Sequence, residues 1–569
     1  MYNAKSVVSE LLAPHIPELE PQQIIDMLEV PPNPEMGDLA LPCFKLSKVL
    51  RKSPVQIAQA LSEAIPPNEN ISYIENLSGY LNIFLNQSKY IQQILSYILE
   101  SGKEYGSSNL GQGRNIVIDY SSPNIAKPFH VGHLRSTSIG NSLYRIFEFM
   151  GYNSVGVNHI GDWGTQFGKL ITAYKHWGSE EAVNERLIKE LVALYVKFHE
   201  EAEKDPSLDD EARHWFLRLE QNDEEAHKLW KWFVDISLKE YQKVYDLLDV
   251  SFDSYAGEAF YNDKMEPVIN ELEDKGLLTE SEGAKIVDLE QDDMPPCLIL
   301  KTDGSTLYAT RDITAAIYRK DTYNFEKCVY VTGVSQSLHF KQLFKVIEKM
   351  GYDWYKDLHH VPFGTVSIGG EKLATRTGNV VLLEDILSKA IEKTLETINS
   401  KNPNMENKEK IAQQMGVGAV IFSDLSSNRI KDVSFSWDDI LNFDGETGPY
   451  VQYTHARACS VLRKSNNASD PAKHELDSKH LLSREEFQLT KTLADFPDKV
   501  KQAQKDLEPS ILTRYLVDVA QDFNRFYHEH SILVDDPGVR SSRLALVQAT
   551  KLTLANGLYL IGLHAPEQV

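Results

Sequence analysis

Short apolar, β-branched runs alternate with amphipathic stretches through the middle of the chain, and beyond about residue 448 the short runs stop. The clearest run is Asn115-Ile-Val-Ile-Asp-Tyr120, and it precedes a stretch, 136–150, with Ile139, Leu143, Ile146, Phe147 and Met150 at helical spacing. Further runs at 155–157, 286–288, 297–300, 329–331 and 360–363 are separated by helical patterns. That alternation predicts a Rossmann-type, doubly wound parallel sheet. Upstream, a helix ending near Leu12, helices over 43–50 and 54–65, and strands at 71–74 and 80–85 read as a small α+β module. Downstream, amphipathic stretches at 487–507, 511–528 and 540–562 predict an all-α region. A multidomain α/β protein follows, divided at 1–109, 110–447 and 448–569, with a helical insertion over about 171–250.

Composition changes this picture little and charge changes it more. The 569 residues suffice for about three or four domains. No stretch reaches the roughly 18 apolar residues of a membrane span and the N-terminus carries no apolar leader, so a cytoplasmic protein without a membrane partner is expected. Cys43, Cys297, Cys328 and Cys459 lie far apart and form no C-x-x-C pair, which argues against structural zinc and against a disulfide framework. A net charge of −23 looks wrong for a nucleic-acid binder. Its distribution softens the objection, because 451–569 holds 15 basic and 15 acidic side chains and the whole excess lies upstream. Residues 179–250 carry 19 acidic against 10 basic groups, a solvated helical face. Any surface for a polyanion therefore has to be a local basic stripe.

The candidate chemistry sits between the 115–120 strand and the helix after it, in Ser121-Ser-Pro-Asn-Ile-Ala-Lys-Pro-Phe-His-Val-Gly-His-Leu-Arg-Ser136. A strand, a turn and a helix N-terminus make an anion site, since free backbone N–H groups and the positive end of the helix dipole face the ligand. Gly132 leaves room for a base or ribose against the backbone, and His130 and His133 can donate to phosphate oxygens as charge develops. Taken alone, an H-x-G-H string is more often two surface histidines near a turn. A metal reading is weaker, because the spacing is not i, i+4 and no acidic or cysteine partner is close.

Context decides. The full run resembles the HIGH signature of class I aminoacyl-tRNA synthetases in the form typical of arginyl-tRNA synthetases. The resemblance continues through Asn158-His-Ile-Gly-Asp-Trp-Gly-Thr-Gln166, Tyr308-Ala-Thr-Arg-Asp312 and Glu371-Lys-Leu-Ala-Thr-Arg-Thr-Gly378, and it covers essentially the whole chain. It implies an enzyme that condenses arginine with ATP to arginyl-adenylate and passes arginyl to the 3′-terminal ribose of its tRNA, with Mg2+ accompanying ATP. It also implies an N-terminal tRNA-binding domain, a catalytic domain and an α-helical anticodon-binding domain. A monomer is the expected state.

On that resemblance His130, Gly132, His133 and Lys372 bind ATP, while Asp119, Ser121, Asn124, Tyr308, Asp312 and Gln336 form the arginine pocket. Tyr308 supplies a ring against the aliphatic stem and Asp312 a carboxylate to the guanidinium. As a competing use, Asp312 could pair with Arg311 or Arg319 on the helix surface. The second signature departs from the general K-M-S-K-S: Thr375 stands at the second lysine, so Lys127, Lys372 and Arg376 are the cations expected to meet the leaving pyrophosphate. Asn82 and Phe84 could present an amide and an aromatic face to an unstacked tRNA base, although Phe84 reads equally well as core.

Two other classes compete. A small-substrate nucleotidyltransferase could share the H-x-G-H loop but would need neither flanking domain. A catalytically dead RNA-binding relative would be expected to have lost the histidines or Asp312, which remain. Within the class, a cysteinyl enzyme is disfavoured by the missing zinc cluster, and a lysyl-type pocket would also want acid.

Overall fold

A computed structural model describes residues 3–302, 304–368, 371–372, 382–436, 440–442, 445–465 and 476–569. Its centre is a four-stranded, all-parallel sheet in the order Leu358–Phe363, Lys327–Gly333, Asn115–Asp119, Asn153–Val157. Every residue of Asn115–Asp119 after the first is buried, as expected of a β-branched strand covered on both faces. The strand order reverses between Asn115–Asp119 and Lys327–Gly333, so a crevice opens there at the carboxyl ends. The signature loop and the loop beginning at Asn158 leave the sheet at the carboxyl ends of Asn115–Asp119 and Asn153–Val157.

Two runs expected in the parallel sheet lie elsewhere. The strands Ala284–Val287 and Cys297–Leu300 join Leu278–Ser281 in a separate antiparallel sheet. The reason is local: Glu282 and Gly283 both adopt positive φ, which makes a two-residue hairpin, and a hairpin forces antiparallel pairing. These strands are also half-exposed, unlike the buried parallel ones. An apolar run alone does not say which sheet it joins.

The helix expected over 136–150 starts earlier, as Val131–Phe149, because His130 caps it. Its buried Arg135 meets the buried Asp424 at 3.1 Å, and the Arg135 guanidinium also donates to the Lys431 carbonyl at 2.7 Å. That pairing joins the helix to Lys408–Leu425. Ser136 links the start of the signature loop to the strand Lys327–Gly333 by accepting from the Ser121 N–H and donating to the Val331 carbonyl.

The C-terminal region is helical among its described residues, and the stretch expected at 487–507 is two helices, Arg484–Ala494 and Phe496–Asp506. Pro497 explains the break, since proline cannot continue the preceding hydrogen-bond ladder. The helix Gln87–Ser101 packs on the last helix, Pro537–Leu560, and on Arg484–Ala494. Tyr105 donates to the Leu493 carbonyl at 2.6 Å, and Asn556 donates to the Tyr105 carbonyl at 2.9 Å. The segment following the N-terminal antiparallel sheet, ordered Leu39–Pro42, Tyr80–Leu85, Ile71–Leu77, is thus seated against the C-terminal helices. No helix among the described residues is long and apolar enough to cross a membrane.

Candidate active site

The signature loop turns the chain from Asp119 into the helix Val131–Phe149. His130 is the N-cap residue, and its Nδ1 accepts the Gly132 N–H at 3.0 Å; His133 Nδ1 accepts the His130 N–H at 3.2 Å. The two rings lie 4.0 Å apart. Because each Nδ1 is an acceptor, the neutral tautomers carry their protons on Nε2, and neither Nε2 has a partner among the described residues. Burial lowers the His130 pKa, with Lys127 adding to it, and takes that of His133 down to about 3. The pair therefore offers two uncharged N–H donors at a helix N-terminus. Gly132 has a structural role besides the expected one: a Cβ there would stand 2.7 Å from His130 Cε1, so glycine lets the imidazole fold back as a cap.

The preceding loop is held from the acidic insertion. The Tyr241 hydroxyl lies 2.7 Å from the carbonyls of both Asn124 and Lys127, and Phe129 packs on His133, Tyr241 and Tyr245. Both tyrosines lie on the helix Glu224–Leu248, which reads in the sequence only as a solvated face. Its apolar positions are legible there, but which neighbour they cover is not. Asn124 is exposed, and a Cβ at Gly161 would come 2.2 Å from its Oδ1, so the second motif block needs glycine for this approach.

Two expected arginine contacts have partners within the protein. Asp119 is not a free carboxylate: it pairs with the buried Arg319 at 2.8 Å and accepts from Ser122 Oγ at 2.9 Å. Ser121 is buried, with Oγ engaged by the Tyr245 hydroxyl and by Thr137 Oγ1. Ser122, next to it, is the less buried of the two serines.

Asp312 lies one turn after Tyr308 on the helix Tyr308–Tyr323, and Tyr308 is 67% exposed at its start. Neither arginine offered as a competing partner pairs with Asp312. Arg311 reaches Glu258 and Asn262, at 3.5 and 3.4 Å, and Arg319 takes Asp119. Asp312 instead meets His339 Nε2 at 2.6 Å through Oδ2 and His159 Nε2 at 3.8 Å through Oδ1. Burial pushes the Asp312 pKa up, but the His339 hydrogen bond and the surrounding positive charge outweigh it and hold the carboxyl below the usual range. Gln336 is exposed on the turn that opens the helix Ser337–Lys349.

Glu258, which the sequence did not flag, is the second carboxylate here. Burial raises its pKa to about 7, countered by Arg311 and Lys127 and reinforced by Asp312 and Asp162. Lys127 is half-buried; burial lowers its pKa and Glu258 opposes that. It thus feels both His130 and Glu258, the anion-binding end and the acidic end of the site.

Lys372 lies in the strand Glu371–Lys372, paired with Val366–Ile368. Arg376 and Thr375 lie outside the described residues. The described chain resumes at Leu382, which forms a β-bridge with His130, and Leu383 N–H donates to the Phe129 carbonyl. Among the described residues, no three His, Cys, Asp or Glu side chains cluster as a metal site.

Away from the crevice, Asn82 is only 4% exposed in a sheet strand, so the amide face expected there is not presented. Phe84 is partly buried and stacks on Tyr73 at 4.0 Å. A cavity of about 410 Å³ opens in the C-terminal region, lined by Tyr450, Tyr453, Arg457, Asn524 and His528 among others. The Arg457 guanidinium lies 5.0 Å from the Tyr453 ring centre, and Asn524 donates to the Tyr450 hydroxyl at 3.0 Å.

Comparison with known families matches tRNA synthetases class I (R), catalytic domain, to residues 93–437. An arginyl tRNA synthetase N terminal domain matches 4–85, and a DALR anticodon binding domain matches 451–569. The chain is 56% identical over 569 residues to an arginine–tRNA ligase of Alkaliphilus metalliredigens and 53% identical to one of Clostridioides difficile, covering the whole of each chain in both cases. Among solved structures it resembles Plasmodium falciparum arginyl-tRNA synthetase, with a TM-score of 0.79 and 26% identity over 99% of this chain and 98% of that one. Thermus thermophilus arginyl-tRNA synthetase shares the fold, with a TM-score of 0.81 and 24% identity over 99% and 100% of the two chains.

Proposed function

The chain belongs to the arginyl-tRNA synthetases, and from that premise we propose how its own residues divide the work of an arginine–tRNA ligase. The reaction is the two-step one of the family: arginine and ATP give arginyl-adenylate and pyrophosphate, and arginyl then passes to the tRNA terminal ribose with release of AMP. The observation that carries the assignment is the placing of an acidic pocket, Asp312 with Glu258, beside an anion-binding helix end on one sheet edge. A guanidinium offers five N–H donors and no acceptor, so its recognition calls for carboxylates. A triphosphate calls for N–H donors and cations.

In this reading Tyr308 covers the arginine stem, Asp312 and Glu258 take the guanidinium, and Asn124, Ser122 and Gln336 hold the amino-acid end. Asp119 and Ser121 act as positioning residues, through Ser122, Arg319 and Tyr245. The arginine carboxylate attacks the α-phosphate, its oxygen forms the new P–O bond, and pyrophosphate leaves. His130 and His133 donate through Nε2 to the phosphate oxygens without gaining or losing a proton. Lys127, Lys372 and Arg376 supply the positive charge that the leaving group meets. Magnesium would travel with ATP, held mainly by phosphate oxygens and water.

The test is amino-acid-dependent ATP/pyrophosphate exchange with and without tRNA. Arginine is expected to support exchange and the other amino acids are not. Folded protein giving no arginine-dependent exchange in either condition would sink the assignment. In the same assay Lys127→Ala is expected to lower kcat by about tenfold to hundredfold, the cost of one transition-state charge contact. A loss within about threefold would return Lys127 to a loop-packing role.

We further propose that the cavity lined by Tyr453 and Arg457 accepts an unstacked tRNA base, since aromatic faces and guanidinium planes stack on bases of any sequence. Tyr453→Ala is expected to raise the tRNA Michaelis constant by about fivefold to hundredfold while sparing those for ATP and arginine. An unchanged tRNA constant in aminoacylation would remove this cavity from the RNA surface.

A further inference from the structure

We propose that His159 is a second guanidinium acceptor, reading arginine through its unprotonated Nε2 alongside Asp312 Oδ1. The proposal rests on the reading of Asp312 as the arginine carboxylate.

His159 follows the strand Asn153–Val157, in the loop that meets the signature loop at Gly161. Its Nδ1 lies 3.2 Å from the Ala256 carbonyl oxygen. A carbonyl can only accept, so Nδ1 carries the hydrogen and the neutral ring keeps its lone pair on Nε2. That lone pair faces Asp312 Oδ1 at 3.8 Å. The other carboxylate oxygen is already satisfied, by His339 Nε2 at 2.6 Å.

Two acceptors thus face each other, and among the described residues no hydrogen-bond donor is recorded between them. Neither is sealed in, since the side chains of His159 and Asp312 are 13% and 26% exposed. Such a pair is unfavourable when empty and becomes favourable once a donor is shared between them. The spacing lets one nitrogen come within hydrogen-bond distance of both atoms. A guanidinium suits this site because every nitrogen at its rim is a donor. Citrulline, which carries a carbonyl oxygen at the same end, would set a lone pair against two others.

The alternative is that His159 is protonated and closes an ion pair with Asp312. Burial opposes this by lowering the His159 pKa, with Arg319 acting the same way, while Asp119 and Asp312 act against them. The Tyr261 ring packs against the imidazole, with centres 5.5 Å apart, and supplies no charge.

Substitutions separate these readings. His159→Leu removes the acceptor, and His159→Gln places an amide oxygen where Nε2 stood. The assay is ATP/pyrophosphate exchange on the full chain with tRNA present, varying arginine and ATP separately. His159→Leu is expected to raise the arginine Michaelis constant by about tenfold to hundredfold, with the ATP constant within about twofold of wild type. His159→Gln is expected to recover most of the loss. An arginine constant that is unchanged or lower in His159→Leu overturns the proposal, a lower one being the signature of the ion pair. Equal losses toward arginine and ATP overturn it too, by marking a structural role. Asp312→Asn, run in parallel, distinguishes the two failures: a silent His159→Leu beside a crippled Asp312→Asn refutes only the histidine, whereas two silent variants refute the pocket itself.

Discussion

Asp312→Asn is expected to raise the Michaelis constant for arginine by about a hundredfold to a thousandfold and to leave that for ATP near wild type. The size follows from removing one partner of a desolvated, hydrogen-bonded charge pair, which costs about 2–5 kcal/mol, where each 1.4 kcal/mol is tenfold. The substitution keeps the shape and an oxygen acceptor, so it tests charge more than packing. The amide oxygen it leaves could still accept from His339, and the helix Tyr308–Tyr323 should keep its place. In the proposed reading phosphate recognition lies at the other end of the site, around His130 and His133, which is why the ATP constant should not follow. The carboxyl is held below its usual pKa, so it is ionised throughout the neutral range and the wild-type arginine constant should not change there on its account. Initial rates of exchange with arginine and ATP varied separately decide the matter. An unchanged arginine constant would remove Asp312 from the pocket and leave Glu258 as its acid.

The second large effect concerns stability. Asp424→Ala leaves the buried Arg135 guanidinium with carbonyl partners and no counter-charge, a loss of about 3–5 kcal/mol. Burial raises the Asp424 pKa to about 6 even though Arg135 lowers it, so desolvation outweighs the attraction of the pair. Because the folded pKa lies above the usual 3.8, the stability linked to this group is complete below that value and is lost as pH rises through about 6. The pair therefore makes a poor net contribution at neutral pH and yet is costly to break on one side. Thermal unfolding should show the single variant melting well below wild type, and the double variant Arg135→Met, Asp424→Leu recovering most of the difference. If the double variant melts as low as the single one, the pair contributes real stability to the helix junction and desolvation does not govern it.

How far the chain could be read depended on the range of each signal. The parallel strands, the loop with its two histidines and the helical character of the C-terminal region follow from patterns a few residues long, although the stretch at 487–507 divides at Pro497 and the helix expected from 136 begins at Val131. Sheet membership did not: 286–288 and 297–300 carry strand-like runs, and the Glu282-Gly283 turn that sends them into a separate sheet is a two-residue signal easily passed over. In the pocket, Tyr308 and Asp312 are spaced by one helical turn and were legible as a pair. Asp119 looked ligand-facing because no local pattern reveals Arg319, two hundred residues away, as its partner. The neighbours of Glu258 and His159, on which their proposed roles rest, were not legible for the same reason, since only the fold brings these groups together. The burial of Asn82 was not legible either, since a strand of alternating character does not disclose it at a single position.

The last helix has a bearing on the first event of an active life. Ser142 donates to the Leu560 carbonyl and Arg145 to that of Tyr559, both from the helix that begins at the histidine pair. On the ribosome these two acceptors are made more than four hundred residues after their donors. The catalytic sheet can assemble on the emerging chain, since domains fold as units from the N-terminus. The far end of the helix Val131–Phe149 cannot be tied down until Tyr559 and Leu560 have emerged, so a product truncated before them would carry the signature motif without the anchor for the helix that presents it.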